Sequence, residues 1–310
     1  MTLPALFDGR LSLPLIGSPM FLVSRPALVI AQCRAGIVGA FPSLNARPSG
    51  TLESWLKQIG EALTEKDAPY AVNLIVHRTN ARLEEDLALC VKYRVPVVIT
   101  SLGAREDVNR AIHSYGGIVL HDVINNMFAR KAVEKGADGL IAVAAGAGGH
   151  AGTLSPFALV EEIRSWFDGP LALSGAIATG RSIAAARMMG ADLAYMGTSF
   201  IATEEAEADP AYKQMIVDSA ANDIVYSDVF TGVLGNYLKP SIIAAGMDPD
   251  NLPTAAVMNF AELGGSDKKA WRDIWGAGQG IGAIRKIQPA EAFIDQLKAE
   301  YRAAVAAFNS

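Results

Sequence analysis

Eight apolar, β-branched runs, each followed by helix-forming residues, constrain this chain more than any other feature of its sequence. They begin near Leu13, Gly36, Tyr70, Val95, Gly117, Gly139, Pro170 and Leu193. Runs such as Val95-Pro96-Val97-Val98-Ile99-Thr100 are nearly continuous in apolar character, the pattern of strands buried on both faces and hence of a parallel sheet. Between them lie segments such as Arg181 to Met189, rich in helix formers and followed by Gly190, a suitable C-terminal stop. The repeated unit predicts an α/β fold, a (β/α)8 TIM barrel. Such barrels take about 250 residues, whereas the eighth unit ends near Phe200, so a doubly wound open sheet is the alternative. After Thr203 the rhythm changes, with Asp209-Pro210 and Asp248-Pro249-Asp250. We therefore read 1–203 and 271–310 as the barrel and 204–270 as a helical cap or insertion over the active site. The stretch Ala290 to Phe308 has helical spacing and is expected to close the outer layer.

With 310 residues and 51% hydrophobic content, the chain can bury a large core. Its first residues lack the cationic start and apolar stretch of a secretory signal, and no run approaches the roughly 18 apolar residues of a membrane helix. A cytoplasmic protein with no membrane partner is the expectation. The net charge of −5 includes no basic block, which argues against nucleic acid. Cys33 and Cys90 are far apart, both in predicted helices, and offer neither a disulfide framework nor a metal site.

The chemistry concentrates in Ala145-Gly146-Ala147-Gly148-Gly149-His150-Ala151-Gly152, which follows the sixth run and contains one isolated imidazole. Glycines let backbone approach a ligand, and histidine exchanges a proton near neutral pH. The plainer reading is a glycine turn beside a hydrogen-bonded structural histidine. In a barrel, ligands gather where the strands end at their C-termini. Those ends carry Pro19-Met20, Asn73, Ser101, His121-Asp122, His150, Ser174-Gly175-Ala176 and Met196-Gly197-Thr198. Small residues in the last two groups expose amides that attract phosphate without lysine, which points to a phosphorylated cofactor; they also suit simple tight turns. Two loose G-x-G-x-x-A matches, from Gly146 and Gly278, neither open the first βαβ unit nor precede a ribose-binding acid at the right distance. His121 reads best as structural, His77 and His113 as peripheral, and the direction of Asp122 is open. Phe21, Leu22 and Tyr237 are candidates for setting substrate size.

These motifs together resemble the nitronate monooxygenase family, formerly 2-nitropropane dioxygenases, which are FMN-dependent TIM barrels. The resemblance rests on Gly17-Ser18-Pro19-Met20, Ala71-Val72-Asn73-Leu74, the A-G-G-H-x-G element at Ala147 to Gly152, Ser174 to Ala178, Met196-Gly197-Thr198-Ser199-Phe200, and Trp275 to Gly280. It implies that Met20, Asn73, Gly149 and Ser174 border the flavin. It further implies that Gly175, Ala176, Met196, Gly197 and Thr198 line its phosphate end, that Gln279 closes the pocket, and that His150 is catalytic. Two departures concern the substrate: Gly146 stands where many relatives have an acid, and Asp122 where some have lysine. The implied reaction is oxidation of an alkyl nitronate or nitroalkane by O2 to a carbonyl compound and nitrite. An NAD(P)H-dependent FMN reductase of the same barrel group, acting on quinones or enoyl-acyl-carrier-protein, is the alternative enzyme, and a non-catalytic flavin-binding barrel the alternative of another class. A homodimer is compatible with any of them.

Overall fold

The computed structural model describes residues 3–48, 50–252 and 273–308. The strands in chain order are β1 (Leu15–Gly17), β2 (Gly39–Pro42), β3 (Tyr70–Ile75), β4 (Val97–Ser101), β5 (Ile118–Val123) and β6 (Gly139–Val143). They continue with β7 (Gly149–His150), β8 (Leu171–Ser174), β9 (Leu193–Met196), β10 (Ile224–Ser227) and β11 (Gly235–Leu238). Eight of them, all parallel, form one sheet in the order β1-β9-β8-β6-β5-β4-β3-β2. The two ends meet: Ile16 bridges Val38, Gly17 N–H donates to Val38 O at 2.7 Å, and Val38 N–H donates to Leu15 O at 3.1 Å. The sheet is therefore a TIM-type barrel and not an open doubly wound sheet.

Each barrel strand is apolar throughout because each face meets a different apolar layer. Ile16, Val38, Ala71, Val97, Ile99, Leu120 and Ile141 belong to the cluster filling the barrel. Their strand neighbours Val98, Val119 and Leu140 pack in separate clusters with the helices. The helix Thr51–Ala62 buries Leu52, Leu56 and Ile59 at spacings of four and three, the stripe of an amphipathic surface helix. The helix Ala290–Phe308 closes the outer layer as expected, crossing Gly180–Met188 very tightly. A Cβ on Gly180 would lie 2.2 Å from Leu297 O, so only glycine permits the approach.

The segment read as helical is mixed. It contains the helices Pro210–Asp218 and Lys239–Ala244, but also the antiparallel pair β10–β11 between them; residues 253–270 of the segment lie outside the described residues. Ile224-Val225-Tyr226 and Tyr237-Leu238 carry β-branched and aromatic side chains, and the hairpin has a partner that the sequence does not announce. Its strand β11 pairs antiparallel with β7, opposing Gly235 to His150 and Asn236 to Gly149. Tyr237, Ile242 and Ile274 form a small separate core beneath this three-stranded sheet.

Candidate active site

A cavity of about 1100 Å³ opens where the barrel strands end and continues under the three-stranded sheet. Its wall includes Met20, Asn73, Gly149, His150, Ser174, Gly197 and Thr198 from the expected site. Gly175, Ala176, Met196 and Gln279 are not in the wall and form the layer supporting it. Gly175 has φ +140° and Ala176 φ +54°, a left-handed turn leaving β8. Gly146 O accepts from the Ala176 amide at 3.2 Å and from the Gln279 amide at 2.9 Å, which ties three separate loops at one carbonyl. Thr198 Oγ1 accepts from Gly278 N–H at 2.9 Å. Met196 is almost fully buried, and its carbonyl accepts from Ser18 N–H at 2.8 Å. That last bond draws the Met20 loop beside Gly197.

His150 reaches the cavity because β7 is a strand of the upper sheet and not a free loop. Asn236 Nδ2 donates to Ala147 O at 2.6 Å and pins the glycine segment from above. A Cβ on Gly235 would meet Gly149 O at 2.8 Å, so the two strands approach through glycine on both sides. His150 Nε2 lies 3.1 Å from Thr231 Oγ1, and that hydroxyl lies 3.2 Å from Tyr237 OH. Burial lowers the His150 pKa to about 4, so the imidazole is neutral at pH 7. Tyr237, a candidate for setting substrate size, is instead fully buried and holds Thr231. Phe21 is in the cavity wall and Leu22 is not.

The inner end of the cavity carries a polar chain. Asn73 Nδ2 donates to Ile99 O at 3.1 Å and to Ser101 Oγ at 2.7 Å, and Ser101 Oγ donates to Asp122 Oδ2 at 2.5 Å. Asp122 thus points inward, on the same side of β5 as the barrel-filling Leu120. Burial raises its pKa to about 6, with the Ser101 bond pulling the other way. Tyr195 of β9 sits nearby; burial drives its hydroxyl pKa well up, and the Asp122 charge adds to the effect.

His121 belongs to the opposite side of β5, with outward-facing Val119 and Val123, and its Nδ1 lies 2.5 Å from Thr100 Oγ1. The residue is nonetheless among those that line the cavity. His77, expected to be peripheral, also borders the cavity and is bonded to Thr79 at 2.9 Å, whereas His113 pairs with Asp138 at 2.8 Å on the outside. Burial lowers the His121 pKa from 6.5 to about 4. The unfolded chain therefore binds this proton at higher pH than the native one, and stability is lost as pH falls from 6.5 towards 4. The loss attributable to His121 reaches about 2–3 kcal/mol at pH 4.5. Denaturant unfolding at pH 7 and 4.5 should show that difference shrinking by about this amount in His121→Gln. An unchanged difference would mean that the imidazole is protonated in the native state.

With this geometry in hand, the relatives are informative. The family model described as "Nitronate monooxygenase" matches residues 53–300. The chain belongs to the nitronate monooxygenase family. A nitronate monooxygenase of Paraburkholderia phytofirmans is 26% identical, over 94% of this chain and 93% of the relative. Among solved structures, FabK from Thermotoga maritima is 25% identical with a TM-score of 0.81, covering 98% of this chain and 96% of that one. A nitroalkane oxidase from Streptomyces ansochromogenes has the same fold, with a TM-score of 0.85 over 98% of this chain and all of its own, at 24% identity. The family is one of flavin-dependent oxidoreductases. Among the described residues, no helix of this family member is long and apolar enough to cross a membrane.

The signals that sequence reading missed are Thr231, Tyr195 and the Asn73–Ser101–Asp122 chain. Thr231 sits in a connection with no motif, 81 positions from the histidine it touches. Strand alternation could have placed Asp122 inside, because Leu120 two residues earlier belongs to the barrel interior.

Proposed function

We propose that this protein is an FMN-dependent oxidoreductase converting alkyl nitronates, and the parent nitroalkanes, with O2 to a carbonyl compound and nitrite. The observation that carries this reading is His150, held neutral by burial in the wall of a cavity large enough for a flavin and a small substrate. Small-molecule pockets commonly span about 300–1,000 Å³, and this one slightly exceeds that range. The wall fits the cofactor in character as well, with backbone exposed at glycines, apolar Met20, and polar Asn73 and Ser174.

Met20, Asn73, Gly149, Ser174, Gly197 and Thr198 would hold the flavin, with Gly175, Ala176, Met196 and Gln279 shaping the phosphate end from behind. When bound, FMN supplies the electron-transfer chemistry, and the protein supplies orientation and exclusion of water. A neutral His150 can take the α-proton of a nitroalkane, leaving the nitronate in place. With preformed nitronate it only positions the substrate. Thr231, supported by Tyr237, limits rotation of the ring. The cap, taken as 204–270, contributes both residues and so completes the site above the barrel of 1–203 and 271–310. We place the protein in the cytoplasm, acting on small molecules, with a homodimer as the working assembly.

The test is anaerobic stopped-flow absorbance on purified protein mixed separately with propyl-2-nitronate, 2-nitropropane, NADH and NADPH. Reduction by nitronate, with nitrite formed when air is admitted, supports the reading. Bleaching by the nicotinamides alone assigns an NAD(P)H-dependent FMN reductase. A bound flavin reduced by none of them assigns a binding barrel.

A further inference from the structure

The cavity continues outward from His150 along a wall that neither the proton transfer nor the flavin uses. Ala151 N–H donates to Leu234 O at 3.2 Å and Tyr226 OH donates to Ala151 O at 2.7 Å, so the Leu234 loop is tied to the residue after the histidine. On the other side, a Cβ on Gly152 would lie 3.1 Å from Ile124 Cβ, which brings the end of β5 against the same segment. Asn125 Oδ1 accepts from Phe128 N–H at 2.9 Å and caps the helix Asn126–Glu134, which sets Phe128 four residues beyond Ile124. Ala129 and Ala132 of that helix are buried against the sheet. Ile124, Phe128 and Leu234 all line the cavity, yet they are 41%, 42% and 44% exposed. Three large apolar side chains thus stand half in water around one opening. Apolar surface gathered along a groove, in contrast to apolar residues scattered singly, marks a place where a ligand covers it. Met127, more exposed still, is not among the lining residues, so exposure alone does not define the stripe.

We propose that Ile124, Phe128 and Leu234 form a subsite for an unbranched hydrocarbon chain, so that the cavity selects nitro compounds carrying a medium-length alkyl chain over propyl-sized ones. The substrate class rests on the reaction proposed above, and the chain subsite rests on the wall alone. The occupant is the substrate's own tail, because the stripe belongs to the same cavity as His150 and is joined to it through Ala151 and Gly152. Lys131, three residues after Phe128 and so on the same helix face, ends the stripe. A lysine stem can extend an apolar wall while its ammonium stays in water. A fully buried methylene is worth about fourfold in affinity and one covered on a single side about twofold, so four added methylenes should strengthen binding by roughly 15- to 250-fold.

Butanamide and octanamide are a suitable probe pair, differing by that length of chain. Both are uncharged, so Lys131 and Asp228 in the same wall act on them alike. Their dissociation constants from the purified holoprotein can be read by ligand-observed NMR titration. Octanamide should bind about 15-fold or more tighter than butanamide. In the double variant Phe128→Ser, Leu234→Ser the advantage should fall to about threefold or less, with butanamide unchanged, while Met127→Ser keeps it in full. All three side chains are partly exposed, so serine there leaves the core intact. Equal affinity for the two amides, an advantage that survives in the double variant, or one lost equally in Met127→Ser, overturns the proposal. Turnover of propyl-1-nitronate and octyl-1-nitronate separates this inference from the reaction on which its substrate class rests. A chain advantage in amide binding with no nitrite from either nitronate would refute the reaction and leave the subsite standing. Nitrite formed from both with equal kcat/KM would leave the reaction standing and overturn the chain selection.

Discussion

Alanine at position 150 should lower turnover of 2-nitropropane about 10²–10⁴-fold, the usual worth of a positioned general base, and lower turnover of propyl-2-nitronate far less. The asymmetry follows from the chemistry. A nitroalkane must lose its α-proton and a nitronate has already lost it, so only the first reaction needs an acceptor. The neutral state of His150 at pH 7 makes it available for that step. Protonation switches the base off only as pH approaches about 4, so kcat/KM for the nitroalkane should hold level from pH 7 down to about 5. Steady-state kinetics of His150→Ala and the unaltered protein with both substrates, using nitrite as the readout, test this. Equal losses with the two substrates would show that the imidazole only positions them. Thr231→Val offers a finer comparison, since it keeps the base but removes the hydroxyl 3.1 Å from Nε2.

The second large effect lies at the opposite end of the barrel and should leave the chemistry alone. Arg164 Nη2 donates to Asp192 Oδ2 at 2.5 Å, with both side chains nearly buried. The same guanidinium donates to Gly190 O at 2.7 Å, Gly169 O at 2.7 Å and Phe167 O at 3.1 Å, while Asp192 Oδ2 also accepts from Leu171 N–H at 3.0 Å. One cation thus joins the end of the helix Pro156–Arg164 to the starts of β8 and β9. Arg164→Ala leaves a nearly buried carboxylate without its cation and removes the donor from three part-buried carbonyls, and breaking such a buried pair costs about 3–5 kcal/mol. Thermal unfolding should fall by roughly 6–10 °C, taking about 2 °C per kcal/mol for a chain of this size. Asp192→Asn should cost a comparable amount, and the double variant less than the sum, because both changes remove one network. A loss under about 1 kcal/mol would mean that water replaces the guanidinium.

The site was legible in part. The sequence located His150, and it placed Met20, Asn73, Ser174 and Gly197 at strand ends that do border one cavity. It could do so because a parallel barrel puts every strand's C-terminus on one face, whatever the separation along the chain. Ala176, from a strand end, and Gln279, implied by the family resemblance, sit behind the wall, bonded through their amides to Gly146 O. A motif marks a loop, and which of its atoms meets a ligand depends on the loop packed against it. The upper sheet was legible least. Two residues, Gly149-His150, are too short a strand to leave any periodicity, and they become one only when β11 lies beside them.

Sequence alone determined eight strand–helix units around a parallel sheet, because a continuous apolar run must bury both faces of its strand, and it left open whether that sheet closes into a barrel or stays doubly wound. It also determined that a histidine stands at the end of a glycine segment. Tertiary structure decided that β1 meets β2 and closes the sheet, which depends on twist accumulated over all eight strands. It decided that β10 and β11 pair as a hairpin, and that Thr231 stands beside His150. It decided, too, that Asp122 lies inside the barrel at the end of the Asn73–Ser101 chain, since a side chain's charge is set by burial and by neighbours that are adjacent only after folding.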